Sequence, residues 1–580
     1  MIVIDRIRIN GFRSICTLQM PLGRTTVLLG ANNCGKSTVL KALELALSDE
    51  TSVQKEDFHM DAVGTFAKEL WVDVRFVPIN PQSNRLSMFP DQWQKEFAGL
   101  IRRDHYRREY MAFRTVFTRH DNGVITKARY EILHWDAARL GEAIDVLPHA
   151  IQFVSIDAEE NLREDLKNEK SFVSLTVNEL STVLKKHPDY GVKPIEDLKA
   201  MLDSLSQTLE GPGTGLPQGV ALTADNIEAF FSLVKSDSEK IIPFSVLQGK
   251  GSQKSVAILS IVVLVDLLAK HAQLSQKPLF MLIAAEEPEI HLHPNAQRAL
   301  MTRLKSLSHQ CVVSTHSPYV ASVSEPHEFR SMLRVGEDIR VRWLPQNIDP
   351  METRVIKRLI LRFRAEVLFA TGLIFVEGVT EEQLIRGMFQ AYFGEDPSTY
   401  GISIIGVDGK SYAPFLMLAL SLKKPFCVIS DNDGDARHVV LKQLSETERR
   451  VHSRAQDNQS GVFFLSPGLA IEGELVYKTG LKREIYDALW ACNGSTNTSP
   501  KSKHLQYERM MALAPRDLKR KLEKKKAEYS GFLGEIIAQN PYNQSVDNML
   551  PIAVRKAFEQ ISLWLGKTKK DSETETVGYT

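Results

Sequence analysis

Cysteine is scarce in this chain: five occur in 580 residues (Cys16, Cys34, Cys311, Cys427 and Cys492), and no two form a C-x-x-C pair. That excludes a disulfide framework and a cysteine-built structural zinc site, and it suits a reducing cytoplasm. Long apolar runs are missing too. No stretch reaches the roughly 18 residues a membrane span needs, so no membrane partner is expected. The opening M-I-V-I-D-R-I-R-I-N alternates like a strand and lacks the continuous apolar core of a signal peptide. Charge of one sign is equally absent, with Lys+Arg 72 against Asp+Glu 71. Any nucleic-acid surface must therefore be local rather than global. What is present is ordinary globular composition, 43% hydrophobic and 25% charged, over a length that exceeds one hydrophobic core of about 250–300 residues. A cytoplasmic protein of several domains is expected.

The most informative stretch is L-L-G-A-N-N-C-G-K-S-T-V-L, Leu28–Leu40. It holds G-x-x-x-x-G-K-S between an apolar run, Thr26–Leu29, and a helical pattern, Thr38–Leu47. Gly30 and Gly35 let the backbone curl round a polyphosphate with its N–H groups inward, while Asn32 and Asn33 line the curl. Lys36 supplies a cation for the outer phosphates and the Ser37 hydroxyl a ligand for Mg²⁺. Thr38 then opens a helix whose positive end faces the same anion. A nucleotide site follows.

Ile2–Ile9 and Thr17–Met20 read as strands before that loop, and Trp71–Val77 and Val124–Leu133 as strands after it. Between the last two, I-R-R-D-H-Y-R-R-E-Y (Ile101–Tyr110) interleaves arginines with Tyr106 and Tyr110. It reads either as a DNA-backbone contact or as a solvated helix face. From about 160 to 240 the character changes. Ile195, Leu198, Leu202, Leu205 and Leu209 step by three and four, a helical seam open to a dimer contact or to an intramolecular hairpin. Next, S-V-L-Q-G-K-G-S-Q-K-S sets Gly249 and Gly251 at the start of an apolar helix, Val256–Leu268, a second anion site. A buried-strand run then ends in A-E-E-P-E with Glu286 and Glu287. Acids there can hold a Mg²⁺ water shell and polarise an attacking water. Another strand ends in S-T-H-S-P, where His316 can reach a γ-phosphate.

Past Pro350 the strands carry carboxylates at their ends. Leu373–Val376 is followed by Glu377, and Glu381 lies on the turn into a helix, Glu382–Phe389. Ile402–Val407 ends in D-G-K. A further strand ends in S-D-N-D-G-D with Asp431 and Asp433, and F-F-L-S-P-G-L-A-I-E-G-E-L sets Glu472 and Glu474 two apart. Strands alternating with helices imply a parallel sheet, whose ligands lie at the strands' carboxyl ends. Acids gathered there repel one another unless a cation neutralises them. Hard oxygen ligands suit Mg²⁺ or Mn²⁺, and two metals about 4 Å apart serve phosphodiester cleavage.

The ordered set G-A-N-N-C-G-K-S, L-Q-G-K-G-S-Q, A-E-E-P-E and S-T-H-S-P resembles the ATP-binding-cassette ATPases of the SMC/RecF/Rad50 class. E-x-x-x-E, D-x-D and E-x-E resemble the Toprim fold. Together they resemble one family across essentially the whole chain, the OLD (overcoming lysogenisation defect) nucleases, which include the nuclease subunit of Gabija anti-phage systems. The resemblance implies an α/β chain with an ABC-type (SMC/RecF-like) ATPase domain over 1–348. A helical dimerisation-type insertion occupies about 160–240 of it. A Toprim nuclease domain over 349–580 then has its core at about 370–480 and a helical extension at about 481–566.

By position, Gly30–Ser37 would be Walker A, Glu286 the Walker B acid, Glu287 the catalytic glutamate, His316 the switch histidine and Gln248–Gln253 the signature. Two departures stand out: Glu286 where Asp is common, and Gln248 where a phosphate-contacting Ser is usual. Glu377, Glu381, Asp431, Asp433, Glu472 and Glu474 would bind two metals, with a third ion on ATP. The family's assisting lysine matches Lys526 best, within the basic helical stretch Leu518–Ile537. The implied activity is ATP-regulated, divalent-metal-dependent cleavage of DNA in bacterial anti-phage defence. The alternative is a RecF-like repair ATPase whose second domain binds DNA without cutting. Implied partners are DNA, a second copy in a homodimer or larger even oligomer, and a UvrD-like helicase or retron reverse transcriptase encoded nearby.

Overall fold

The structure, a computed structural model, describes residues 1–49, 53–148, 150–156, 278–290, 292, 294–306, 310–336, 338–345, 349–360, 365–492 and 507–566. The arm expected at about 160–240, the Ile195–Leu209 seam, the turn with Gly249 and Gly251, the helix Val256–Leu268 and the tail after Gly566 lie outside the described residues. The chain divides into two units, Met1–Arg342 and Trp343–Thr580. No described helix is long and apolar enough to cross a membrane.

The first unit builds on two sheets. The N-terminal alternation makes the strand Ile2–Phe12, paired antiparallel with Ile15–Pro21 and with Glu69–Pro78. That sheet continues through Glu109–Arg119, Ile125–His134 and Arg139–Ala143. The second sheet has the order Asp338–Arg342, Phe329–Val335, Thr25–Leu29, Gln310–Ser314, Phe280–Glu286, Ile151–Ile156. All its pairs are parallel except the first. The inner strand Phe280–Glu286 is a continuous apolar run, buried from Phe280 to Ala285, so it shows no alternation. The helix Lys36–Leu47 shares one core with side chains of both sheets, among them Ile7, Val74, Leu282 and Val312. Gln310 fastens one sheet to the other. Its Oε1 accepts from Ile4 N (2.8 Å), and its Nε2 donates to the carbonyls of Ile4 (2.7 Å) and Gly23 (2.8 Å).

The Ile101–Tyr110 stretch is not a helix face. Ile101–Arg103 pairs antiparallel with Glu109–Arg119 as a short hairpin. Three of its four arginines pair with local acids: Arg102 with Glu131, Arg103 with Glu109 and Arg108 with Asp104. Tyr110 is buried, its hydroxyl donating to Leu133 O at 3.0 Å. Alternating charge across a hairpin mimics a basic patch in one dimension, but cross-strand pairing neutralises it.

The second unit carries a four-stranded parallel sheet in the order Ile402–Gly406, Gly372–Val376, Phe426–Ser430, Gly461–Phe464. The order reverses between Gly372–Val376 and Phe426–Ser430, which makes their carboxyl ends the natural ligand crevice of an open α/β sheet. The helices Val379–Phe393, Ala527–Gln539 and Ile552–Leu565 share one core with this sheet. The helix Val379–Phe393 begins earlier than expected, so Glu381 stands in its first turn rather than before it. Glu472 and Glu474 likewise lie in the first turn of the helix Ile471–Lys478, six residues and more past the strand end at Phe464. The basic stretch expected as one helix is two, Pro515–Lys525 and Ala527–Gln539, broken at Lys526 with φ 34°.

Candidate functional site

In the first unit the phosphate loop springs from Thr25–Leu29, the third strand of its sheet. Gly30 has φ 151°, and a Cβ there would sit 2.5 Å from Met332 O, so glycine is required twice over. At Gly35 (φ 85°) a Cβ would meet Ile339 Cδ1 at 2.7 Å. Asn32, Asn33 and Ser37 face solvent, while Thr38 is buried on the helix. Lys36 folds back over its own loop, donating to the carbonyls of Gly30 (2.9 Å) and Ala31 (3.0 Å).

Three elements meet over that loop. The Ser37 hydroxyl donates to Glu286, the last residue of Phe280–Glu286. Lys36 Nζ lies 2.7 Å from His316 Nε2, and Glu287 Oε1 lies 3.2 Å from the same nitrogen. An ammonium can only donate, so Nε2 accepts from Lys36 and the imidazole is neutral, its proton on Nδ1. The electrostatics agree: burial first, then the Lys36 charge, lowers the His316 pKa, with Glu287 opposing. Burial likewise lowers that of Lys36 against the pull of Glu287, Cys34, Glu286 and Glu289. Lys36, Ser37, Glu286, Glu287 and His316 are thus brought together, whereas Gly249 and Gly251 lie outside the described residues.

Glu289 is a residue the sequence reading passed over. Its buried Oε1 accepts from Thr315 Oγ1, His316 N (3.0 Å) and Ser317 N (3.3 Å), fixing the histidine loop to the acidic strand end. The third acid of A-E-E-P-E was the available signal.

In the second unit the two strands that flank the reversal, Gly372–Val376 and Phe426–Ser430, are followed directly by Glu377 and Asp431. Both carboxylates keep one buried oxygen without a hydrogen-bond partner among the described residues, Glu377 Oε2 and Asp431 Oδ1. Burial, then the charges of Glu381, Glu377, Asp433 and Glu472, pushes the Asp431 pKa up to about 8. Burial also raises Glu377, where Lys410 and Lys526 pull down while Asp433 and Glu472 push up. Glu381 is raised mainly by burial, with Glu472 and Glu377 adding to it. Its Oε2 accepts from Gly378 N at 2.9 Å. Five of the six expected acids therefore share one electrostatic neighbourhood. Glu474 faces elsewhere: its carboxylate accepts from Ser466 N (3.1 Å) and Oγ (3.0 Å).

Among the described residues no three acids, histidines or cysteines are gathered closely enough to hold an ion as they stand. The donor set nevertheless fits a hard divalent cation. It consists of carboxylate oxygens, two of them buried and unpartnered, at the crevice of a parallel sheet. Asn432 holds the aspartate loop in place, its Nδ2 donating to Leu465 O at 2.9 Å and its N to Leu469 O at 3.1 Å. Lys526 reaches this neighbourhood from the helix break. A second cation was missed: Lys410, which closes D-G-K after Ile402–Gly406, sits 3.7 Å from Asp433 and 3.3 Å from Asp435.

Known proteins share this pairing. A family model described as "Overcoming lysogenization defect protein-like, TOPRIM domain" matches residues 368–433, and an AAA-domain model matches 93–322. A third, "Protein of unknown function (DUF2813)", matches 1–130. The OLD nuclease of Thermus scotoductus is 25% identical over 502 residues, 80% of this chain and 91% of that protein. These matches support an OLD-family ATPase-nuclease. The Old nuclease of Escherichia phage P2 is 22% identical over 447 residues, covering 70% and 72% of the two chains. Endonuclease GajA of Bacillus cereus is 25% identical over 217 residues, a shorter match covering 32% of this chain and 31% of that one. The Toprim match spans Glu377, Glu381, Asp431 and Asp433 but ends before Glu472. A chain of this domain content is a nuclease with an ATPase domain, and it uses ATP and a metal ion.

Proposed function

We propose that the chain is an ATP-regulated, divalent-metal-dependent DNA endonuclease of bacterial anti-phage defence. The observation that carries this reading is the pair Glu377 and Asp431, flanking the sheet's reversal with a buried, unpartnered oxygen each. A surface made only to bind a polyanion would not collect acids there.

In this reading Glu377, Glu381, Asp431, Asp433 and Glu472 hold two Mg²⁺ or Mn²⁺ ions, with Glu474 bracing the helix turn that carries Glu472. Such ions, when bound, supply an activated water and charge stabilisation at a phosphodiester. The side chains do the rest. Asp431 gives up its proton to become a ligand. Lys526 and Lys410, both close enough to offset the Glu377 charge, steady negative charge on the cleaved phosphate. In the other unit Gly30, Asn32, Asn33, Gly35 and Thr38 cradle ATP, with Lys36 and His316 on its outer phosphates. Ser37 and Glu286 hold its Mg²⁺, and Glu287 orients the water. Lys36 must leave its two loop carbonyls to do so. Gly249 and Gly251 complete the nucleotide site of a partner copy, and DNA is the substrate. A helicase or retron component encoded nearby would link cutting to an infection signal.

The test separates the two chemistries. Glu377→Ala and Asp431→Ala are expected to lower plasmid cutting at least a hundredfold while ATP hydrolysis persists. Glu287→Gln does the reverse to turnover, leaving ATP bound. Undiminished cutting by both acid variants would end the reading.

A further inference from the structure

Next to the carboxylate cluster lies a group that neither the motifs nor the metal reading uses. Tyr529 is the third residue of the helix Ala527–Gln539 and 0% exposed, yet its Oη has no hydrogen-bond partner among the described residues. The charges felt at that phenol are those of Glu472, Glu381 and Asp431. A buried hydroxyl left unpaired is costly, and such groups are rare in folded proteins. Its charged neighbours are carboxylates, groups that accept a hydrogen bond once a cation holds them ionised.

The backbone keeps it there. Tyr529 stands in the first turn of the helix, just after the break at Lys526. The helix crosses Val379–Phe393, the helix of Glu381, through two glycines packed backbone to backbone. A Cβ on Gly387 would lie 2.1 Å from Gly534 O, and one on Gly534 2.7 Å from Gln383 O. Ser530 Oγ adds a hydrogen bond to Gln383 Oε1 at 2.5 Å. The phenol and the acids of Val379–Phe393 are thus parts of one rigid crossing.

We propose that Tyr529 is a positioning residue of the metal centre: its buried, otherwise unpartnered hydroxyl donates to a carboxylate of the Glu381, Asp431 and Glu472 group in the loaded state, fixing that ligand's orientation. The inference rests on the metal reading above. It makes a sign prediction that a packing role does not. Tyr529→Phe removes one oxygen and keeps the ring. If the hydroxyl serves only the loaded site, the variant is at least as stable as the parent in chelator, yet binds metal less well.

The experiment uses full-length, nucleotide-free protein. Mn²⁺ binding is measured by titration calorimetry and by the electron paramagnetic resonance of free Mn²⁺, and unfolding is followed in excess chelator. The expected result is an unfolding midpoint in chelator equal to or above that of the parent, with Mn²⁺ affinity lowered about tenfold. Unchanged Mn²⁺ affinity makes the phenol core filling and overturns the proposal. A lower midpoint in chelator overturns it as well, because the hydroxyl then has a structural partner. Glu377→Ala is the control. If that variant binds Mn²⁺ as the parent does, the metal reading itself falls and the proposal with it; if only Tyr529→Phe matches the parent, the proposal falls alone.

Discussion

Asp431 is where the energetics of a single residue bear most directly on function. Its carboxyl, held up to about 8 by burial and by Glu381, Glu377, Asp433 and Glu472, is protonated at neutral pH when no cation balances it. A pKa raised on folding gives a stabilising contribution that is complete below the ordinary value of about 4. It is lost as pH rises through about 8. In chelator, then, this residue's contribution falls progressively between about pH 4 and about pH 8 and is level above that. Metal binding runs the other way, since the ligand must be a carboxylate and its proton must leave. Mn²⁺ affinity should climb with pH from about 6, by up to about tenfold per unit, and level off above about 8. Calorimetry in buffers of different ionisation heat should count close to one Asp431 proton released per loaded site at pH 7. A flat pH profile, or the same slope in Asp431→Asn, would remove Asp431 from the ligand set.

At the scale of elements, the crossing of Val379–Phe393 and Ala527–Gln539 decides how the second unit holds its acids. Alanine in place of a mid-helix glycine ordinarily gains about 1 kcal/mol of helix propensity. At Gly387 the new Cβ would be 2.1 Å from a backbone oxygen that no rotamer can move, so the helices must part. Overpacking of that kind costs about 1–3 kcal/mol or more, and the clash wins. Gly531 is the internal control, because its Cβ would meet only Gln383 Oε1, at 3.7 Å. Gly387→Ala should lower the unfolding midpoint of this unit and weaken Mn²⁺ binding, while Gly531→Ala should be neutral or slightly stabilising. Equal midpoints for both variants in thermal unfolding would show that the crossing is not tight in solution.

For the whole molecule the question is how many chains make a nucleotide site. The described part of the first unit brings Lys36, Ser37, Glu286, Glu287 and His316 to one place. An ATPase of the expected class takes its signature from a second chain. The chain should therefore be a homodimer or larger even oligomer before nucleotide is added, and light scattering at micromolar concentration should report no monomer. Leu198 and Leu205, in the apolar seam outside the described residues, are the positions to change. Replacing both with Asp would bury unpaired charge, at a cost of about 3–5 kcal/mol per site in an interface. A double variant that stays folded and oligomeric would place dimerisation elsewhere.

What the sequence determined by itself is local and covalent in origin. G-x-x-x-x-G-K-S spans eight residues, so its spacing already dictates a loop whose glycines have the backbone angles found at Gly30 and Gly35. The acids after Val376 and Ser430 were legible because a short apolar run followed by Glu or Asp reads as a buried strand and its carboxyl end. Other features only the tertiary structure decided. The arginines of Ile101–Tyr110 read as a patch until strand pairing set Glu131 against Arg102. Glu472 and Glu474 are equivalent as letters two apart. On a helix that separation turns their side chains about 200° from each other, so one joins the cluster and the other turns to Ser466. Lys410 closes a D-G-K whose spacing names no partner for it, and Tyr529 belongs to no motif; nothing within a few residues of either fixes what it meets. Their surroundings come from sheet order and from the Gly387–Gly534 crossing, contacts between segments far apart in the chain, and no local spacing encodes such an encounter.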